Sequence, residues 1–163
     1  MNWSAPFDGL QEGTRFTTRG RTITEADVVG FAALTGDWHP QHADAEWARS
    51  SAFGERIAHG MLVVSFAVGL VPLDPERVIA LRRVRDAVFR RPVRLGDTIH
   101  VSGRVAAIKP AAEDAGLVTL AIDVLRQDAR RACAAQVEIL WSADPADAPA
   151  DERPCGEMVW GAA

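Results

Sequence analysis

Residues 61–71, MLVVSFAVGLV, form an apolar run interrupted only by Ser65 and Gly69. A helix that is hydrophobic on every side is normally wrapped by other structure. The run is also well short of the roughly 20 apolar residues that span a bilayer. It therefore predicts a buried central helix. After Pro72 the chain turns to runs rich in Val, Ile and Leu at 78–84, 87–94, 98–108, 117–127 and 131–141. Gly96-Asp97, residues 109–116 and Asp128-Ala129-Arg130 punctuate them as turns. Ile99, Val101, Gly103 and Val105 alternate with His100, Ser102 and Arg104, the period of a strand with one face buried. The expectation is an α+β fold, in which an antiparallel meander is wrapped around the helix.

Working back from the helix, the chain supplies a second helix and a loop. Residues 13–24 carry β-branched side chains around Arg19-Gly20-Arg21 and predict a short strand and a turn. Thr24 followed by Glu25 and Asp27 is an N-cap with acidic residues in the first turn. Val28, Phe31, Ala32 and Leu34 follow at helical spacing, and Gly36 supplies the stop. Residues 43–50 predict a short helical piece anchored by Trp47, and 51–57 a connector containing Gly54.

Between the two helices lies Gly36-Asp37-Trp38-His39-Pro40-Gln41-His42. Asp37 and His42 are five apart, on different faces of any continuous helix, yet a loop stiffened by Pro40 can bring them to one point. A carboxylate and an imidazole sharing one water can orient it, take its proton and return one elsewhere. On spacing alone the same residues also read as a helix stop, a turn and a solvated histidine. At the start of the apolar helix, residues 58–60 present unpaired N–H groups at the positive end of the macrodipole, and Gly60 permits close approach.

The segment Phe31-Ala-Ala-Leu-Thr-Gly-Asp-Trp-His-Pro-Gln-His42 resembles the signature of the MaoC-like, (R)-specific enoyl-CoA hydratase family. That signature is an aromatic, a spacer, then Gly-Asp-x-Asn-Pro-aliphatic-His. The second family block, His-Gly-Met followed by apolar residues and a Ser, is matched by His59-Gly60-Met61-Leu62-Val63-Val64-Ser65. The resemblance covers about residues 7–142. It implies a hot-dog fold with Asp37 and His42 as the catalytic pair. It also implies the Gly60 N–H as donor to a thioester oxygen, and Ser65 lining or supporting the site. Trp38, Gln41 and Met61 are expected to shape the substrate pocket, and His59 to be structural. His39 stands where the family has Asn, and Gln41 where it has an aliphatic residue. Those departures bear on substrate choice and pH profile more than on the reaction.

The activity so implied is reversible hydration of a trans-2-enoyl thioester, carried on CoA or an acyl-carrier protein, to the (R)-3-hydroxyacyl thioester. No metal or redox cofactor is called for. A thioesterase on the same fold and an idle acyl-CoA-binding partner subunit are the alternatives. An unpaired edge strand, and the habit of the resembling proteins, imply at least a homodimer.

The 163 residues, 48% apolar, suit one domain over 1–142 followed by an Ala-, Pro- and Asp-rich tail over 143–163, with Met158, Val159 and Trp160 as its apolar pins. The net charge of −4 argues against nucleic acid, which demands a basic face. Cys133 and Cys155 have neither CxxC nor metal-ligand spacing. Arg82, Arg83, Arg85, Arg90, Arg91 and Arg94 cluster either as the solvated face of strands or, in part, as contacts for CoA phosphates. The first residues show no basic and apolar leader, so a cytoplasmic location away from membranes is expected.

Overall fold

The computed structural model describes residues 1–112 and 114–143. The tail from 144 onward, including Cys155, Met158, Val159 and Trp160, lies outside the described residues. Four helices and six strands follow a 3-10 turn at Phe7–Gly9: β1 (Arg15–Thr17), β2 (Arg21–Thr22), α1 (Glu25–Thr35), α2 (Pro40–Ala43), α3 (Ala45–Arg49), α4 (Gly60–Leu70), β3 (Val78–Phe89), β4 (Thr98–Pro110), β5 (Ala115–Arg126) and β6 (Arg131–Ser142). The sheet is antiparallel, in the order β1-β4-β5-β6-β3, with β2 also on β4.

The α+β expectation holds, with two corrections to the strand layout. Residues 78–84 and 87–94 are not two strands. They form one long β3 with irregular register against β6, including a shift between Arg85 and Val88 where Asp86 adopts φ 53°. Residues 90–94 leave the strand. The strands are also not a simple meander, because β3 pairs with β6 at the far edge and not with β4. Pairing of that kind is set by which apolar faces meet and is invisible to local periodicity.

The helix α4 lies against this sheet, burying Leu62, Val63, Val64 and Ala67 in a core with Val101, Val105, Leu120, Val137 and Ile139. It is not wrapped all round within the single chain: Met61, Ser65 and Gly69 are exposed. The edge strand β3 likewise exposes Ile79, Leu81, Val84, Val88 and Phe89. In α1 the core face is Val28 and Ala32 with Phe31 half-buried, whereas Leu34, six residues from Val28, is exposed. The anchor of the 43–50 piece is Ala48, fully buried, and not the exposed Trp47. Among the described residues, no helix is long and apolar enough to cross a membrane.

On the core face of the sheet, aromatic rings pack over two glycines. A Cβ at Gly116 would lie 2.0 Å from the Phe7 ring, and one at Gly103 would lie 2.4 Å from the Phe16 ring. Overpacking of this kind typically costs about 1–3 kcal/mol. Gly116→Ala is therefore expected to lower the urea midpoint by the equivalent of about 1–3 kcal/mol, with an unchanged slope. A midpoint equal to that of the parent would show that Phe7 yields freely.

Candidate active site

The loop after α1 is built by local rules. Thr24 and Asp27 form a reciprocal capping box at the start of α1, and Gly36 ends it at φ 79°, a conformation that glycine adopts without steric cost. Asp37 follows immediately, exposed, with its Oδ1 accepting from the backbone N–H of His39 at 3.3 Å. Pro40 then does more than stiffen a turn: it is the first residue of α2, a position where its missing N–H costs nothing. His39 caps this short helix, its Nδ1 accepting from the N–H of Gln41 at 3.2 Å. Its ring also meets Trp47 edge-on at 5.6 Å. An asparagine amide oxygen could fill the same capping role. His39→Asn is accordingly expected to keep activity within about threefold, and His39→Ala to cost about 1 kcal/mol of stability through loss of the cap. A fall in kcat for His39→Asn as large as that for Asp37→Asn would refute the bracing role.

One turn of α2 carries His42 into the interior, where it is 6% exposed. Its Nδ1 lies 2.7 Å from the carbonyl oxygen of Ile57. A carbonyl can only accept, so Nδ1 carries the proton and Nε2 keeps its lone pair. Burial lowers the pKa of this imidazole from its ordinary value, reinforced by the neighbouring imidazoles of His59 and His39 and opposed by the Ile57 carbonyl and the Asp37 carboxylate. Gln41 Nε2 sits 3.4 Å from His42 Nε2, a long contact that a water can displace.

The third element is the start of α4. His59 is its N-cap residue and Gly60 its first helical residue, and the His59 side chain caps no backbone N–H of the helix. His59 is 2% exposed. Its Nε2 lies 3.0 Å from the backbone carbonyl oxygen of Asp37, and its ring stacks on His42 at 3.8 Å and 27°. Nε2–H must donate to that carbonyl, which leaves Nδ1 as a buried acceptor without a hydrogen-bond partner among the described residues. An orphan of this kind costs about 1–3 kcal/mol.

These groups line one cavity of about 590 Å³, within the range of small-molecule sites. Asp37, Gln41, His42, Gly60 and Met61 are all on its wall. Trp38 is 53% exposed and does not line it. Ser65 is exposed with its hydroxyl donating to the Met61 carbonyl, five residues and so about 140° around the helix from Gly60. The apolar floor has no local sequence signal, because Phe89 arrives from the end of β3, Val93 from the segment after it, and Ala132 and Cys133 from the start of β6. Burial raises the pKa of the Cys133 thiol. Arg90 and Arg91 stand at the rim, whereas Arg82 and Arg83 pair with Glu138 and Arg85 bonds Gln136 along β3. The connector before α4 contributes Phe53 to the cavity and is tied down by Arg56 on Glu25 and by the Ile57 N–H on the Gln41 carbonyl.

Donor atoms of Asp37, His42 and His59 lie within 4.8 Å of one another, a composition that could hold a metal ion. The stack argues against that use. Nearly parallel rings direct their in-plane lone pairs side by side instead of towards one centre, and His59 Nε2 is already engaged.

The sequence profile of the family described as "MaoC like domain" matches residues 9–124, most of the chain. The chain belongs to the MaoC-like family. It is 32% identical over 104 residues to the (R)-specific enoyl-CoA hydratase of Rhodospirillum rubrum, the match covering 64% of this chain and 72% of that protein. It is 44% identical over 96 residues to Protein MaoC of Klebsiella aerogenes, a match covering 58% of this MaoC-like chain but only 29% of that longer protein. A solved structure from Mycobacterium tuberculosis with a double hotdogfold superposes at TM-score 0.77 and 23% identity, covering 89% of this chain and 46% of that one. The MaoC-like chain thus has the hot-dog fold that its sequence blocks imply.

Proposed function

We propose that this MaoC-like protein hydrates a trans-2-enoyl thioester reversibly to the (R)-3-hydroxyacyl thioester. The observation that carries this reading is the fixed tautomer of His42, whose Nε2 lone pair is left available in a cavity that Asp37 also lines and whose floor is apolar. The separation of under 4.8 Å between their donor atoms suits one water held by two hydrogen bonds of about 2.8 Å. That water adds its oxygen to C3 as the Asp37 and His42 pair takes one of its protons. The pair then returns a proton to C2. The thioester oxygen, carrying enolate charge in between, is held by the Gly60 N–H at the positive end of α4. Relatives named for the same hydration, or for its reversal, support the reaction class.

The cavity floor is the place for the acyl chain. At the rim, the Arg90 guanidinium, which makes no ion pair among the described residues, is available to a phosphate of the CoA or carrier-protein arm. The exposed apolar row on the edge strand β3 is the proposed seam of a homodimer.

The test is loss of enoyl-thioester absorbance with short, medium and branched trans-2-enoyl-CoAs, followed by chiral analysis of the product. Release of free CoA from saturated substrates would point to thioester hydrolysis instead. Binding of acyl-CoA without turnover would point to an idle partner subunit. The rate should also report His42. A base must be neutral, and burial lowers the pKa of His42, so the acid limb of kcat/KM is expected below the ordinary imidazole value of about 6.5. Stability follows the same sign. The unfolded chain takes up the proton first as pH falls, so this contribution is lost on acidification from about 6.5 towards the lowered folded value. An acid limb at or above 6.5 would exclude His42 as the base.

A further inference from the structure

The stack of His59 on His42 is more than packing. We infer that His59 is a positioning residue of the site, a side chain that ties the carboxylate loop, the base and the start of the oxyanion helix into a single unit. This rests on the reading of Asp37, His42 and Gly60 given above and deepens it.

Three contacts carry the inference. The Nε2–H of His59 donates to the backbone carbonyl of Asp37 at 3.0 Å, which fixes the residue bearing the carboxylate. The ring stacks on that of His42 at 3.8 Å and 27°, which supports one face of the base while the Ile57 carbonyl holds its Nδ1 in the ring plane. Its backbone is the N-cap of α4, directly before Gly60, so any movement of the ring is transmitted to the N–H that would meet the thioester oxygen. Phe31 of α1 closes the other flank at 5.0 Å. The orphan Nδ1 sharpens the point. A residue chosen for packing alone would carry no buried nitrogen without a partner, and His59 carries one while using its other nitrogen on the catalytic loop.

Residues 37, 42 and 60 come from three separate elements, and a displacement of about 1 Å between reacting groups can cost on the order of 10²-fold in rate. A ring that touches all three elements limits such displacement. It acts through the other groups and needs no contact with substrate.

Two substitutions separate the two functions of the ring. His59→Gln keeps a donor near the position of Nε2 and removes the stack. His59→Phe keeps the stack and removes the donor. For His59→Phe, kcat is expected to fall about 10²-fold with KM within about threefold, because the acyl cavity is retained. For His59→Gln, kcat should stay within about tenfold while the titration of His42 moves to higher pH, since one of the two neighbouring imidazoles that oppose its protonation is gone. The groups facing His42 in that variant are Asp37, His39, Gln41 and the Ile57 carbonyl, with Arg90, Arg91 and Cys133 lining the same cavity.

The His42 titration and tautomer are read by NMR of ¹⁵N-labelled imidazoles, which needs no turnover. If the wild type hydrates no enoyl thioester, the proposed reaction fails while the NMR still decides the role of His59. Folded variants with wild-type kcat and an unchanged His42 titration would overturn the inference. So would losses of kcat that merely follow the melting temperature while the His42 resonances stay put. Should one variant not fold, the other decides; failure of both to fold would make His59 a packing residue and end the proposal.

Discussion

Asp37→Asn and His42→Ala are each expected to lower kcat/KM for a trans-2-enoyl-CoA by about 10²- to 10⁴-fold, the usual contribution of a positioned acid or base. Asp37→Asn is the cleaner of the two. The side chain is exposed and its one described hydrogen bond, from the His39 N–H, can be accepted equally by an amide oxygen. Stability should therefore barely change. His42→Ala also empties a buried position and strands the Ile57 carbonyl, so its loss must be measured on protein shown to be folded by circular dichroism. On the proposed mechanism the two groups serve one water, so the double variant should be little worse than either single one, as for groups that act as a unit. Multiplicative losses, or singles within threefold of wild type, would mean that the two groups do not serve one water.

Gly60→Pro should lower kcat by about 10²- to 10³-fold relative to Gly60→Ala. The comparison exchanges the N–H of residue 60 for the ring carbon of proline with a Cβ present in both. Gly60 is the first residue of α4, where proline is tolerated, and His59 at φ −60°, ψ 138° already has the extended backbone that a following proline demands. Both substitutions introduce a Cβ that would lie 2.8 Å from the Phe89 ring, a half-exposed side chain on the edge strand that can swing aside. They differ in the N–H, which only alanine retains. Steady-state kinetics on the two variants reads that difference as kcat. Equal kcat values would remove Gly60 from the oxyanion role and leave its smallness as the reason for its place against Phe89.

The local rules read true where the cause is local. Thr24 caps α1 and Gly36 ends it because side-chain reach and positive φ are properties of a few consecutive residues. The same is true of Pro40 and His39, although the helix they start was expected as a loop, since a single turn after a proline leaves no periodicity to detect. The family resemblance implies Ser65 at the site, and Trp38 is expected there from its place between Asp37 and His42, yet neither lines the cavity. Helix rotation carries the first away from Gly60, and Trp38 points to solvent from a loop whose next residues turn inward.

The amino-acid sequence alone was enough for the fold class and the apolar helix packed on the sheet, because both depend on periodicity; Asp37, His42 and Gly60 were singled out by their resemblance to two family blocks, and the structure puts all three on the wall of one cavity. Only the tertiary structure decided three other matters. It placed β3 beside β6, it brought Phe89, Val93, Ala132 and Cys133 beneath the site, and it laid His59 on His42 with its Nε2 on the Asp37 carbonyl. Each of these joins residues distant along the chain, and such contacts are settled when apolar faces are buried together, a collective outcome that no local stretch encodes.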